Sequence, residues 1–335
     1  MNRGQARAAG RKIAVTAVFL AALLGLFFLS VNLGSLKVSF GELFRGLFIE
    51  ADEQVQTIYD LRFPRILISM LAGAGLAVSG ALLQAVLKNP LADPGIIGVC
   101  SGAQLATVLV AALLPGLYGA APLFSFLGGL LAFWMVYLFS RKNGFSSLRL
   151  ILVGIAVQAL FSGLSNALNS FSGGNISTVT SIVEGNITMK TWSDVNTLCW
   201  FVIPGLLAAL LLGRWCNLLG LEDKTVRGLG MNVSRMQLII SLVSVLLASS
   251  CTAIVGVVGF LALLVPHIGR LLVGSDHRYL LPFSAILGAL IYLAADTAGR
   301  TIAYPYEISA AILMSVIGGP VFILLLQRST ITHGK

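Results

Sequence analysis

The chain has 335 residues, of which 57% are hydrophobic and 10% charged, with a formal net charge of +9. A soluble domain of this length carries roughly a quarter charged residues, so the composition excludes a water-soluble globular protein and marks a polytopic membrane protein. The positive balance does not call for a nucleic acid, because the basic residues sort by membrane side once they are placed along the chain.

The amino-terminal stretch "MNRGQARAAGRK" holds four basic residues and no acid, and an apolar run follows from Ile13 to about Leu33. That run is long enough to cross a bilayer and exceeds the core of a cleavable signal, so it is read as an uncleaved first span. Further apolar windows predict spans at 65–87, 96–114, 122–140, 150–171, 196–213, 236–256, 257–273, 279–298 and 308–327. The seventh and eighth run together, and the Gly256–Gly259 stretch is the one sign of a break between them. The expected architecture is all-α, with ten transmembrane helices and both termini cytoplasmic. Residues 1–12 form an amino-terminal tail, 13–328 the membrane domain, with a cytoplasmic loop at 214–235, and 329–335 a carboxy-terminal tail.

The charge distribution agrees with that direction of threading. Of the 22 basic residues, 16 fall on the cytoplasmic side and 6 outside, whereas 4 acids fall inside and 9 outside. Cytoplasmic loops carry the Lys and Arg excess that sets orientation. The four cysteines, Cys100, Cys199, Cys216 and Cys251, are scattered without metal or redox spacing and read as small apolar residues.

Within the second span, Gly73, Ala77 and Ala81 recur every four residues, as do Gly75 and Ser79, the pattern that lets helices approach closely in lipid. The "LKNPLADPGIIG" stretch (87–98) then interrupts the apolar chain. Pro90 has no amide hydrogen and turns Asn89 away from helical geometry, so the helix should end there. Asp93 before Pro94 has the form of a helix cap. Arg62 and Arg65 stand in "LRFPR" at the outer mouth of span two, against the charge trend. "GFLALLVPHIGRLLVGSDHRYLLP" (259–282) brings Pro266, His267 and Arg270 into an apolar run. "LAADTAGR" (293–300) and "PYE" (305–307) put Asp296, Arg300 and Glu307 near the outer ends of spans nine and ten. Charges at membrane depth are costly and mark functional positions, while long side chains near span ends can also anchor at the interface.

Taken together, "LRFPRILISMLAGAGLAVSGALLQAVLKNPLADPGIIG", "GFLALLVPHIGRLLVGSDHRYLLP", "ADTAGR" and "EISAAILMSVIGGPVF" resemble the FecCD or cobalamin-permease type of ATP-binding-cassette (ABC) importer subunit. That family takes up iron–siderophores, haem and cobalamin. The resemblance runs from about residue 60 to 327. It implies the type II importer permease fold in the bacterial cytoplasmic membrane. It also implies a homodimer (or a pair with a homologous permease), two cytoplasmic ATPase subunits that bind ATP and Mg, and an extracytoplasmic solute-binding protein. No cofactor is expected in this chain.

By the same resemblance, Arg62, Arg65 and Arg300 fall on positions that dock the binding protein, as exposed cations facing acidic residues. Asn89 and Leu91 fall on a cytoplasmic gate, as does Ser147, where "SSLR" replaces "STSR" and Leu148 replaces a serine. Leu219, Leu221, Leu229 and Gly230 match the segment that couples the permease to the ATPase, with Val226 where alanine is usual. The family's "ELPVG" is "EISAA" here, with Ser309 and Ala311 substituted, and Ile182 takes the place of an outer-loop tryptophan. The "PHI" motif is shared by members with different cargo, so His267 is read as a packing or turn residue and not a metal ligand. Ferric siderophore is the first expectation for cargo, with haem, corrinoid and oxyanion behind it.

Other functional classes fit less well. Without a GxxxxGK[ST] loop the chain is not itself the ATPase. An ion-coupled secondary transporter would need charges at mid-membrane on broken helices, whereas these cluster at span ends. A membrane enzyme would need a motif such as HExxH, or a histidine partner for Ser79, and the sequence offers neither.

Overall fold

The computed structural model describes residues 3–33, 53–140, 147–171, 177–188, 190–302 and 306–332. Among them the regular elements are all helical: α1 (Arg3–Asn32), α2 (Glu53–Leu87), α3 (Val99–Leu113), a 3-10 turn (Pro115–Ala120), α4 (Ala121–Ser140), α5 (Ser147–Phe171), α6 (Ser177–Glu184), α7 (Trp192–Leu219), α8 (Asp223–Gly228), α9 (Val233–Val255), α10 (Leu261–Val273), α11 (His277–Ile302) and α12 (Ala310–Thr332). A helix lies over each of the ten expected apolar stretches. Seven are long and apolar enough to cross a membrane, and Val99–Leu113, Leu261–Val273 and Ala310–Leu325 are shorter apolar helices.

α2 is the central element. Its most apolar stretch is 83% buried within the chain, against 11% for α1. Small residues make that burial possible. Gly73 and Gly288 bring the backbones of α2 and α11 into contact, and Gly80 leaves no room for a side chain against the Ala262 carbonyl of α10. Ser79 and Ser244 exchange hydrogen bonds, each hydroxyl donating to the other's carbonyl at 2.8 and 2.9 Å, which joins α2 to α9. In lipid, close backbone packing and interhelical hydrogen bonds replace the hydrophobic effect as the source of association. The small-residue stripe thus serves packing. α7 has the complementary pattern, with Gly205, Ala209 and Gly213 buried and Trp200, Leu207 and Leu211 exposed.

Two boundaries differ from the sequence reading. α2 starts at Glu53, well before residue 65, and continues through Pro64. Val55 and Ile58 are buried with Leu23 and Val31 of α1 and Leu293 of α11, and this packing holds the added turns in place despite the proline. α3 starts at Val99, after Gly98 with φ 84°, so Asp93 caps a turn and not the helix itself. The uncertain break between spans seven and eight is sharp. Gly256 has φ 72°, and a Cβ there would strike the Ile182 carbonyl at 2.6 Å, so a glycine is required. All four cysteines are free, with Cys100, Cys216 and Cys251 buried.

Candidate functional sites at the two ends of the central helix

Arg65 and Lys88 lie toward opposite ends of α2. At roughly 1.5 Å per residue the two are about 35 Å apart, a little more than the ~30 Å hydrocarbon core of a bilayer.

At the Arg65 end, three helices and two loops converge on a charged cluster. Arg62 and Arg65 are three residues apart and so share a face of α2. Arg65 is 5% exposed. Its Nε donates to Asp296 Oδ1 and Oδ2 at 2.9 and 3.1 Å, and its Nη1 donates to Glu307 Oε2 at 2.7 Å. Thr188 donates its hydroxyl to the same Glu307 oxygen at 2.7 Å. Arg300, one turn beyond Asp296 on α11, donates from Nη2 to the Ser30 hydroxyl and carbonyl of α1 at 2.6 and 3.1 Å, and its Nε stands 3.6 Å from Asp296 Oδ2. Arg62 donates to the Val31 carbonyl at 2.9 Å. Burial alone would raise the Glu307 carboxyl above its ordinary range, but the hydrogen bonds from Arg65 and Thr188 and the charges of Arg65 and Arg300 outweigh it and hold the group ionised.

The expectation of freely exposed cations is therefore corrected for Arg65 and Arg300. Both side chains are nine-tenths or more covered and engaged within the chain. Cations at span ends find carboxylates here because a charge leaving water must be paired.

At the Lys88 end, α2 stops at Leu87, as Pro90 requires. The turn that follows is braced from within. Asn89 Oδ1 accepts from the Leu91 amide at 2.9 Å, and Asp93 Oδ1 accepts from the Gly95 and Ile96 amides at 2.7 and 3.1 Å. Asp93 is buried and its Oδ2 has no partner. Burial pushes its carboxyl up to about 6, although the two amide bonds pull the other way. Ser147 opens α5, but its side chain lies outside the described residues.

The loop between α7 and α9 passes beneath this turn. Leu219 and Val226 are fully buried and anchor it, whereas Leu221 and Leu229 are 44% and 62% exposed and Gly230 has φ 77°. α8 is thus a single short helix with one apolar residue inward and two leucines bare at its flanks. Lys88 joins turn and loop, donating to the Leu221 carbonyl at 2.9 Å and to Asp223 Oδ1 at 2.8 Å.

Several partners were not foreseen from sequence. Ser30, Thr188 and the Arg270–Gln84 hydrogen bond between α10 and α2 carry no local signal. Lys88 does carry one, since it occupies a helix-end position that favours glycine. Ser309, which departs from the family pattern, donates to the Gly185 carbonyl at 2.8 Å and accepts from the Ala311 amide at 3.2 Å, starting α12 in place of a proline. Ile182 is buried against the Val108 and Val179 side chains. His267 is half-buried, and among the described residues no three His, Cys, Asp or Glu side chains gather as a metal site.

Comparison with known proteins gives consistent results. The model of the FecCD transport family matches residues 22–328. A Staphylococcus aureus protein named as the heme-iron transport system permease IsdF is 43% identical over 302 residues, 90% of this chain and 92% of the relative. A solved structure described as an inward-facing metal-chelate type ABC transporter superposes with a TM-score of 0.79 at 30% identity, covering 94% of this chain and 99% of the other. PsaBC from Streptococcus pneumoniae, solved with a Fab, shares the fold at a TM-score of 0.59 and 15% identity, covering 86% and 95%.

Proposed function

The chain belongs to the FecCD transport family, and from that premise we propose that it admits haem iron to the cytoplasm as the permease of a binding-protein-dependent ABC importer. It is a multi-pass protein of the cytoplasmic membrane, a transport subunit and not an enzyme. The observation that carries the cargo assignment is the 43% identity, sustained over nine-tenths of the chain, to a relative named for haem-iron transport. The neighbour described as a metal-chelate transporter keeps ferric siderophore as a second reading within the same importer class.

In this reading ten helices cross the membrane with both termini inside, so the Lys88 end faces the cytoplasm and the Arg65 end faces out. Two copies enclose the pathway, or one pairs with a homologous permease, and two ATPase subunits below supply ATP and Mg. The bare Leu221 and Leu229 flanking α8 suit insertion into a groove on an ATPase, as short exposed helices do. Asn89, Leu91 and Ser147 form the inner gate. An acidic binding-protein surface docks over Arg62, Arg65 and Arg300, drawn by these positively charged side chains. Arg65 and Arg300 keep their internal partners while contributing to that field. Inward and outward states then exchange as the ATPases close and open.

The test is purification of the tagged chain from its own membrane with its ATPase, followed by reconstitution and uptake of haem or a ferric siderophore on addition of Mg-ATP. Haem uptake that stops without ATP supports the reading. A chain recovered alone from an intact complex, with uptake abolished by a proton uncoupler, would replace it with an ion-coupled carrier.

A further inference from the structure

Lys88 and Phe260 are the described non-glycine residues with positive φ, and Lys88 has φ 48°. It occupies the first position beyond α2, where the chain turns left-handed and glycine is favoured because a Cβ crowds the neighbouring carbonyl. Nothing in the backbone explains a lysine there. Residues held in sparsely populated conformations gather at switch regions, where the surrounding structure keeps them in place.

The side chain supplies the reason. The Lys88 amine bridges the Leu221 carbonyl and the Asp223 carboxylate, on either side of Glu222, the residue that caps α8. Among the described residues these are the hydrogen bonds that join the 88–98 turn to the 220–230 loop. The turn beyond Lys88 is itself braced by Asn89 and Asp93, so a displacement of Lys88 carries Leu91 with it as a unit. The amine and the carboxylate are 40% and 50% exposed. Such a pair adds little to folding stability, so its removal should leave the fold intact and affect only the transmission of movement.

We propose that Lys88 is a positioning residue that transmits movement of the α8 segment to the 88–98 turn through its bridge to Leu221 and Asp223. This rests on the importer reading, and it adds the physical connection between two segments that the reading treats separately. When an ATPase shifts α8, the Asp223–Lys88 pair draws Lys88 and the Asn89–Leu91 corner along with it. α2 itself, locked by its glycine contacts to α10 and α11, stays in place as the fixed frame.

The experiment uses the full chain with its co-purified ATPase in lipid nanodiscs. Leu91→Cys is introduced over Cys199→Ser, the three other cysteines being buried. The readout is the rate of labelling by a membrane-impermeant maleimide, with and without trapping by Mg-ATP and vanadate. The parent should label at clearly different rates in the two states. Lys88→Gly retains the left-handed turn and should melt no lower than the parent, yet should lose most of that difference. The reversed pair Lys88→Asp with Asp223→Lys should restore it, since aspartate tolerates a left-handed backbone. A full difference in Lys88→Gly overturns the strut and leaves the importer reading intact. Loss in Lys88→Gly without recovery in the reversed pair overturns the ion pair as the carrier. A parent whose bound ATPase hydrolyses ATP but whose residue 91 labels alike in both states overturns the strut as well. A parent that carries no ATPase overturns the importer reading, and the strut with it.

Discussion

The two ends of α2 solve opposite problems with the same kinds of side chain. At the Arg65 end Arg65, Asp296 and Arg300 are buried, each has a partner of the other sign within the cluster, and α1, α2, α11 and the segments before α7 and α12 are bound together. At the Lys88 end the Lys88–Asp223 ion pair is half in water, and the turn keeps its shape mostly through the Asn89 and Asp93 side-chain oxygens that accept from backbone amides. A buried ion pair is poor at moving, because separating it exposes an uncompensated charge to a medium that cannot solvate it. An exposed pair is easily parted. The contrast places rigidity at one end of the helix and freedom to move at the other.

Removing the buried carboxylate should have the largest effect. Asp296→Ala leaves Arg65 without its fully buried partner and Arg300 without its carboxylate neighbour on α11. Breaking a buried pair from one side costs about 3–5 kcal/mol. Folded yield and melting temperature in detergent should both fall steeply, and a variant that melts like the parent would show that the cluster does not hold this end. Next in size is Gly80→Val. Its side chain would have to displace the Ala262 backbone of α10, an overpacking that costs about 1–3 kcal/mol. The expected result is a lower melting temperature, with the α2–α10 spacing widened when measured by cysteine cross-linking.

Glu307→Gln should be milder, because Glu307 is the exposed member of the Arg65 cluster, at 38%. Its carboxyl is held below the ordinary value, so its contribution is present above about pH 4.5 and is lost as pH falls through the lowered value. The glutamine variant should therefore lose stability by less than about 1 kcal/mol at neutral pH, and that deficit should shrink in acid. A deficit as large as that of Asp296→Ala would erase the distinction between a buried and an exposed partner of the same arginine.

Much of this plan is legible in the sequence. Ten apolar stretches, the proline that ends α2 and the small-residue stripe each follow from local composition, and the structure places a helix or a close contact at each. What escapes is long-range. The polar segment 53–64 gives no sign that it will extend α2, because its helix is held by Val55 and Ile58 packing against α1 and α11. The separation of 231 positions from Arg65 to Asp296 leaves no local trace, so both arginine and aspartate look exposed when read alone. At the other end, Leu219 and Leu221 are indistinguishable by residue type, yet one is fully buried and the other faces out. Only the path of the loop separates them.

The last test isolates the braced turn at the Lys88 end. Asp93 is buried with one oxygen doubly bonded by amides and the other unpartnered, and its carboxyl is raised from 3.8 to about 6. A raised acid reverses the sign seen at Glu307: the folded chain binds a proton that the unfolded chain does not, in the window between those two values. Ionised Asp93 thus burdens the fold above about pH 6, and the burden lifts progressively as pH falls toward 4. Asp93→Asn retains the acceptor for Gly95 and Ile96 and removes the charge. The parent should gain melting temperature relative to this variant as pH drops from 7 to 4.5, with the two converging in acid. If the parent instead lost stability relative to Asp93→Asn over that range, the amide bonds would outweigh burial. The turn would then be held by its charge, as the Arg65 end is, and the contrast between the two ends would narrow.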